Sequence, residues 1–168
     1  MTSILDLGAN GRLLKGVAEL IGQAPANVED PLIIGPDSES AQWVKQIAGR
    51  AAAPYAVLSK TRRGDYDVDV EGEVDVRSRT PVLVDDVISS ARTMAEAVKI
   101  VRRSSSTPPV CVSVHALFAG DALDVLQNAG ISLICTTDTI EHVTNRVSVA
   151  HELARAIQEW SAGGPQGQ

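Results

Sequence analysis

Val84-Asp85-Asp86-Val87-Ile88-Ser89-Ser90-Ala91-Arg92-Thr93 is the stretch on which the fold turns. Pro81-Val82-Leu83 leads into it, so a short run of strand formers carries two consecutive carboxylates out of the core and into small hydroxyl residues. From Thr93 to Arg103, Met94, Ala97, Val98 and Val101 recur at helical spacing. A strand that passes through a polar turn straight into a helix is the opening of a βαβ unit. The first N–H groups of that helix have no intrahelical acceptor and stand at the positive end of its dipole. Flanked by small residues, they form an anion cradle suited to a phosphate monoester. Asp85 and Asp86 lie beside the cradle, where carboxylates accept hydrogen bonds from vicinal hydroxyls or hold Mg²⁺. A sugar phosphate with a cis-diol matches both halves. The competing local reading is a plain helix cap at Ser89 or Ser90 after a solvated strand end.

The same alternation continues on both sides. Upstream, Pro31-Leu32-Ile33-Ile34-Gly35 reads as a strand. Ser38 to Ala52 reads as a helix with Trp43, Val44, Ile47 and Ala48 on one face, and Pro54 to Ser59 as a second strand. Lys60 to Asp69 is polar, with Arg62, Arg63 and Gly64 and no apolar period, so a mobile surface loop is expected. Val68, Val70 and Glu71-Gly72-Glu73 suggest a small hairpin near its end. Downstream, Val110 to Leu117 and Ile131 to Cys135 read as strands. Gly120 to Asn128 reads as a helix closed by Ala129-Gly130, and Val147 to Trp160 as a final helix. The expected architecture is α/β, a mostly parallel five-stranded sheet flanked by helices. Ligands bind such sheets at the carboxyl ends of strands. Asp37, Asp85-Asp86 and Asp138 all follow strand ends and are expected to converge there.

Composition agrees. The chain has 168 residues with 44% hydrophobic and only 3% aromatic side chains, a core of Val, Ile, Leu and Ala that suits parallel strands under Ala-rich helices. The net charge of -6 shows no basic face, which argues against nucleic acid as a partner. Cys111 and Cys135 lack metal-ligand spacing and read as buried free thiols. No signal peptide or membrane-length apolar run is visible, so a cytoplasmic protein without a membrane partner is expected. Three segments are expected: an N-terminal helix and linker over 1–30, the main domain over 31–160 and a disordered Gly/Pro/Gln-rich tail over 161–168.

The segment Val84 to Thr93 resembles the phosphoribosyl pyrophosphate-binding motif of type I phosphoribosyltransferases. Gly35-Pro36-Asp37-Ser38-Glu39-Ser40-Ala41-Gln42-Trp43 stands where those proteins have a pyrophosphate loop. Ser59-Lys60-Thr61-Arg62-Arg63 stands where ribose-phosphate diphosphokinases have a Lys-x-Arg catalytic loop. Val114-His115-Ala116-Leu117-Phe118 and Thr136-Thr137-Asp138-Thr139-Ile140 also resemble the diphosphokinases. From about Pro31 to the final helix the chain is similar to the carboxyl-terminal half of such an enzyme, which makes phosphoribosyl pyrophosphate from ATP and ribose 5-phosphate.

The resemblance implies roles. Asp85 and Asp86 would bind ribose hydroxyls and Mg²⁺, and Ser89, Ser90, Ala91, Arg92 and Thr93 would wrap the 5-phosphate. Asp37, with Ser38, Glu39 and Ser40 in the pyrophosphate loop, would lie near metal and pyrophosphate. Lys60 and Arg62 would be the catalytic cations, a role that suits the negative charge built in phosphoryl-type transfer. The resemblance also implies a homo-oligomer, and ATP or phosphoribosyl pyrophosphate as ligands beside ribose 5-phosphate. Two departures stand out. The pyrophosphate loop is Asp-Ser-Glu-Ser where a Gly-rich turn is usual, and nothing before Pro31 replaces the ATP-binding domain of the complete enzymes. The alternatives are a free-standing phosphoribosyltransferase and a non-catalytic regulatory paralogue. His115 reads as a core or cleft-edge histidine, and Trp43 and Trp160 as packing residues.

Overall fold

In the computed structural model, residues 28–60, 66–70 and 78–162 are described. The expected strand at Pro31–Gly35 forms β1. After a 3-10 turn at Ser38–Ser40 come α1 (Ala41–Ala51), β2 (Tyr55–Lys60), β3 (Tyr66–Val70), β4 (Thr80–Ile88) and α2 (Arg92–Ser104). They are followed by β5 (Val110–Ala116), α3 (Ala122–Ala129), β6 (Leu133–Thr137), β7 (Asn145–Val147) and α4 (Ala150–Ala162). The sheet order is β3-β2-β1-β4-β5-β6-β7. Every neighbouring pair is parallel except β2 and β3.

The five expected strands are therefore joined by two more, one at each edge of the sheet. The end of the expected loop, Tyr66 to Asp69, instead lies in β3, paired antiparallel to β2 with Lys60 opposite Tyr66; Val68 and Val70 of the expected small hairpin are in this strand, and Glu71-Gly72-Glu73 lies outside the described residues. The sequence of β3, Tyr66-Asp67-Val68-Asp69-Val70, alternates with period two, and acidic residues at every second place suit an edge strand. Val147, the start of the expected final helix, instead closes β7 (Asn145–Val147), and the helix begins at Ala150. The expected N-terminal helix, Arg62 and the 163–168 part of the tail lie outside the described residues.

Side chains alternate along the central strands and fill both faces of the sheet. On one face Leu32, Ile34, Leu83 and Cys111 pack against Met94, Val98 and Val101 of α2 and Leu126 of α3. On the other, Ile33, Val82, Val84, Val112 and Cys135 pack against Val44 and Ile47 of α1. Leu32, Ile33, Val82 and Leu83 are wholly buried, and each such side chain contributes about 1.5–3 kcal/mol. Cys111 and Cys135 sit on opposite faces as free buried thiols, and burial raises both thiol pKa values. Trp43 packs at the edge of the second cluster, whereas Trp160 is 69% exposed and does not serve as the expected packing residue. Among the described residues no helix is long and apolar enough to cross a membrane.

Successive strands step from β1 toward β2 in one direction and from β4 toward β6 in the other. The order therefore reverses between β1 and β4, the topological switch point at which such sheets open a crevice.

Candidate active site

The carboxyl ends of β1 and β4 bring Asp37 and Asp85 to that crevice. Asp85 is half-buried on the sheet face of Leu83, and Asp86 is exposed with its side chain within reach of the Asp85 carboxyl. The Asp86 N–H donates to Asp85 Oδ1 at 3.0 Å, and Ser113 Oγ on β5 donates to the Asp86 carbonyl at 3.2 Å. Burial pushes the Asp85 carboxyl up to about 7, and the negative charges of Asp86 and Asp37 push the same way, against the favourable Asp86 N–H. Asp85 is thus a carboxylate in want of a cation or a hydroxyl donor.

Ser89 and Ser90 follow, both exposed, and then Ala91, which is buried and left-handed at φ 60°. This conformation is uncommon for a residue with a Cβ and marks strain at a turn. It lets the chain leave β4 and enter α2 within three residues. No side chain caps α2, so the N–H groups of its first turn have no intrahelical or capping partner among the described residues. The carbonyls of the turn are held from behind, because the Phe118 N–H donates to Ile88 O at 2.9 Å and the Ala119 N–H to Ser89 O at 3.0 Å. Ser89, Ser90, Ala91, Arg92 and Thr93 therefore form one fixed turn with its donors free, the geometry an oxyanion requires. Arg92 is exposed and pairs with Asp121 at 3.4 Å.

The turn after β1 differs. Asp37 is its N-cap: Oδ1 accepts from the N–H groups of Glu39 at 3.0 Å and Ser40 at 3.1 Å, while Ser40 Oγ bonds the Asp37 backbone in return. The capping box takes up the N–H groups that a phosphate would otherwise meet. Ser38 and Glu39 are exposed and Ser40 is buried. A methyl at Gly35 would stand 2.3 Å from Ser40 Oγ, so the turn can pack this closely only over glycine.

Asp138 does not join the cluster as expected. Its carboxylate accepts from Ser148 and, at 2.8 Å, from the Val149 N–H, and these two bonds lower its pKa. It ties the end of β6 to the segment entering α4. Lys60 closes β2 at the carboxyl edge of the sheet, and Arg62 lies outside the described residues. Sequence reasoning missed Phe118 and Ala119, which act through backbone N–H groups that no residue type announces.

The donor set suits a hard divalent cation. Two carboxylates at the end of β4, with the Asp37 charge felt by Asp85, match a Mg²⁺ that keeps waters and takes further ligands from bound phosphates. Among the described residues no group of three or more His, Cys, Asp or Glu could hold an ion by itself.

Comparison with known proteins agrees with this geometry. The phosphoribosyl transferase domain pattern matches residues 3–151. A ribose-phosphate pyrophosphokinase of Methanosarcina acetivorans is 34% identical over 159 residues, covering 93% of this chain and 56% of the relative. Ribose-phosphate pyrophosphokinase 2 of Archaeoglobus fulgidus is 36% identical over 139 residues, 82% of this chain and 51% of the relative. The crystal structure of phosphoribosylpyrophosphate synthetase from Mycobacterium smegmatis superposes with a TM-score of 0.74 at 26% identity, over 90% of this chain and 51% of that one. Orotate phosphoribosyltransferase from Aeropyrum pernix shares the fold at a TM-score of 0.59 and 14% identity. The chain spans about half the length of the curated relatives it matches. It belongs to the phosphoribosyl transferase domain family, and its resemblance is to the ribose-phosphate pyrophosphokinases within that fold.

Proposed function

We propose that this chain is the ribose 5-phosphate-binding half, the carboxyl-terminal one, of a ribose-phosphate diphosphokinase. The observation that carries the reading is the segment from Asp85 to Thr93. A paired carboxylate at the switch point runs without a break into an uncapped helix N-terminus. The 5-phosphate would sit on the N–H groups from Ser90 to Thr93, and the ribose hydroxyls would donate to Asp85 and Asp86. Mg²⁺ held by Asp85 and Asp86, with Asp37 nearby, would neutralise the pyrophosphate as it moves. The capping box leaves Asp37 to act through its second carboxylate oxygen and the metal, since its turn offers no free N–H of Glu39 or Ser40. Lys60 at the end of β2, and Arg62 outside the described residues, would meet the negative charge that develops when the 1-hydroxyl attacks the β-phosphorus of ATP. The adenine site would come from outside these residues, and the resemblance implies a homo-oligomer.

Calorimetry of the purified chain with Mg²⁺ tests the reading. Ribose 5-phosphate should bind, and absence of binding would remove the central claim. Tight binding of phosphoribosyl pyrophosphate together with a nucleobase would favour a free-standing phosphoribosyltransferase instead.

A further inference from the structure

His115 stands on β5 opposite Val87, and Ser113 opposite Asp85. It therefore shares a sheet face with Asp85, one pleat nearer the carboxyl edge, where the proposed sugar would lie. The turn that follows it is the one whose Phe118 and Ala119 N–H groups hold the carbonyls of the phosphate turn, and His115 O accepts from the Leu117 N–H at 3.1 Å. The ring is held too, with Nδ1 lying 2.9 Å from Thr139 Oγ1. The direction of this bond follows from counting protons. Thr139 Oγ1 lies 3.0 Å from the Val114 carbonyl and Thr137 Oγ1 2.7 Å from the same oxygen. Thr137 Oγ1 and Thr139 Oγ1 are themselves 3.1 Å apart, so two hydroxyl protons serve three close oxygen pairs: one pair is left without a proton if both protons stay among the oxygens, and two pairs if the Thr139 proton turns to the ring. The hydroxyl proton therefore stays among the oxygens, and His115 donates from Nδ1. Its Nε2 is left as an acceptor and, among the described residues, has no protein partner. His142 is the opposite case, since its Nδ1 accepts from the Thr144 N–H at 3.3 Å.

We propose that His115 is a substrate-contacting residue, locked by Thr139 in the Nδ1–H form so that Nε2 accepts a hydrogen bond from a sugar hydroxyl. Thr139 is then a positioning residue acting through the ring. This rests on the ribose 5-phosphate reading above, and it adds a third wall to the site, beyond the carboxylates and the phosphate turn. A neutral acceptor here distinguishes a hydroxyl from a phosphate oxygen, because an imidazole with its proton at Nδ1 offers nothing to an anion at Nε2.

Two measurements test it. Long-range proton–nitrogen spectra of the histidines at about pH 8, where an ordinary imidazole is neutral, should show His115 protonated at Nδ1 and His142 at Nε2. An Nε2–H form of His115 would overturn the proposal. Calorimetry with ribose 5-phosphate and Mg²⁺ then compares variants. His115→Asn keeps a donor for Thr139 and loses the Nε2 acceptor. It should weaken affinity about tenfold, the upper range for one neutral hydrogen bond. His115→Gln, which can place its amide oxygen near the Nε2 position, should recover most of that loss. Equal affinities of wild type and His115→Asn would also sink the proposal. If the wild type itself bound no ribose 5-phosphate, the functional reading and the contact built on it would fall together. The tautomer spectra would still decide whether Thr139 holds the ring.

Discussion

Asp85 is half-buried, with the charges of Asp86 and Asp37 near it, and all three circumstances favour its neutral form. Its carboxyl titrates at about 7 in the folded chain against 3.8 as the ordinary value. Between those two values the unfolded chain has given up the proton and the folded chain keeps it. The contribution of Asp85 to stability therefore falls as pH rises through this window. Asp85→Asn should accordingly melt at a higher temperature than wild type at pH 8. The advantage should disappear below the ordinary carboxyl range, as followed by thermal melts across pH. The same variant should lose ribose 5-phosphate affinity, the exchange of stability for function common at binding sites. A lower melting temperature at pH 8 would mean that the hydrogen bond from the Asp86 N–H outweighs burial and repulsion. Asp86 is exposed, so Asp86→Ala should leave the melting temperature nearly unchanged and weaken ribose 5-phosphate binding by roughly 1–3 kcal/mol, the range for hydrogen bonds to a charged group. Unchanged affinity in calorimetry would reduce the pair to a strand end.

At the scale of elements, two connections can be probed separately. The link from β6 to α4 is tied by Asp138, whose pKa is lowered by the Ser148 hydroxyl and the Val149 N–H. A depressed carboxyl stabilises the fold above its ordinary value and loses that contribution as pH falls through the folded pKa. Asp138→Ala should therefore melt below wild type at neutral pH, and the two curves should meet in acid. A constant difference at all pH values would assign the effect to packing instead. Lys60 ends β2, and Arg62 follows it in the sequence outside the described residues. Substitution of either should change stability by no more than about 0.5 kcal/mol, because the polar sequence from Lys60 on offers no apolar anchor. In the complete enzyme, Lys60→Ala or Arg62→Ala should lower kcat on the order of 100-fold or more with little change in ribose 5-phosphate affinity, because their charge would act on the transition state. Near-normal turnover in both variants would remove the catalytic role of the two cations.

For the molecule as a whole, the relevant fact is length: the chain covers about half of its pyrophosphokinase relatives. Both clusters of buried side chains are closed around a single sheet, so the half folds around its own core. Its one proposed ligand site lies at the β1–β4 switch point, and none of its described strand ends supplies an adenine pocket. The purified 168-residue chain should therefore bind ribose 5-phosphate and form no phosphoribosyl pyrophosphate at a useful rate from ATP. Joined to an ATP-binding half, it should turn over. Robust product formation by the chain alone, followed by AMP release, would reveal an ATP site within these residues.

The amino-acid sequence by itself determined the alternation of strands and helices, the Gly130 helix end and the segment from Asp85 to Thr93. Each of these is a local matter of side-chain period, backbone permissiveness or residue type. Gly130, for example, closes α3 at φ 93° because that left-handed cap costs a glycine little. Tertiary structure decided what depends on partners distant in the chain. Strand β3 exists because β2 offers it a free edge, which a polar composition does not reveal. Trp160 is exposed because α4 leaves that position uncovered, although its helical spacing fits a packed face equally well. Among the described residues, Asp85 meets the N–H and the carboxyl of its chain neighbour Asp86, Asp37 caps its turn and Asp138 binds the entry to α4. Their residue type is the same, and only the N–H groups that the fold brings within reach separate their environments.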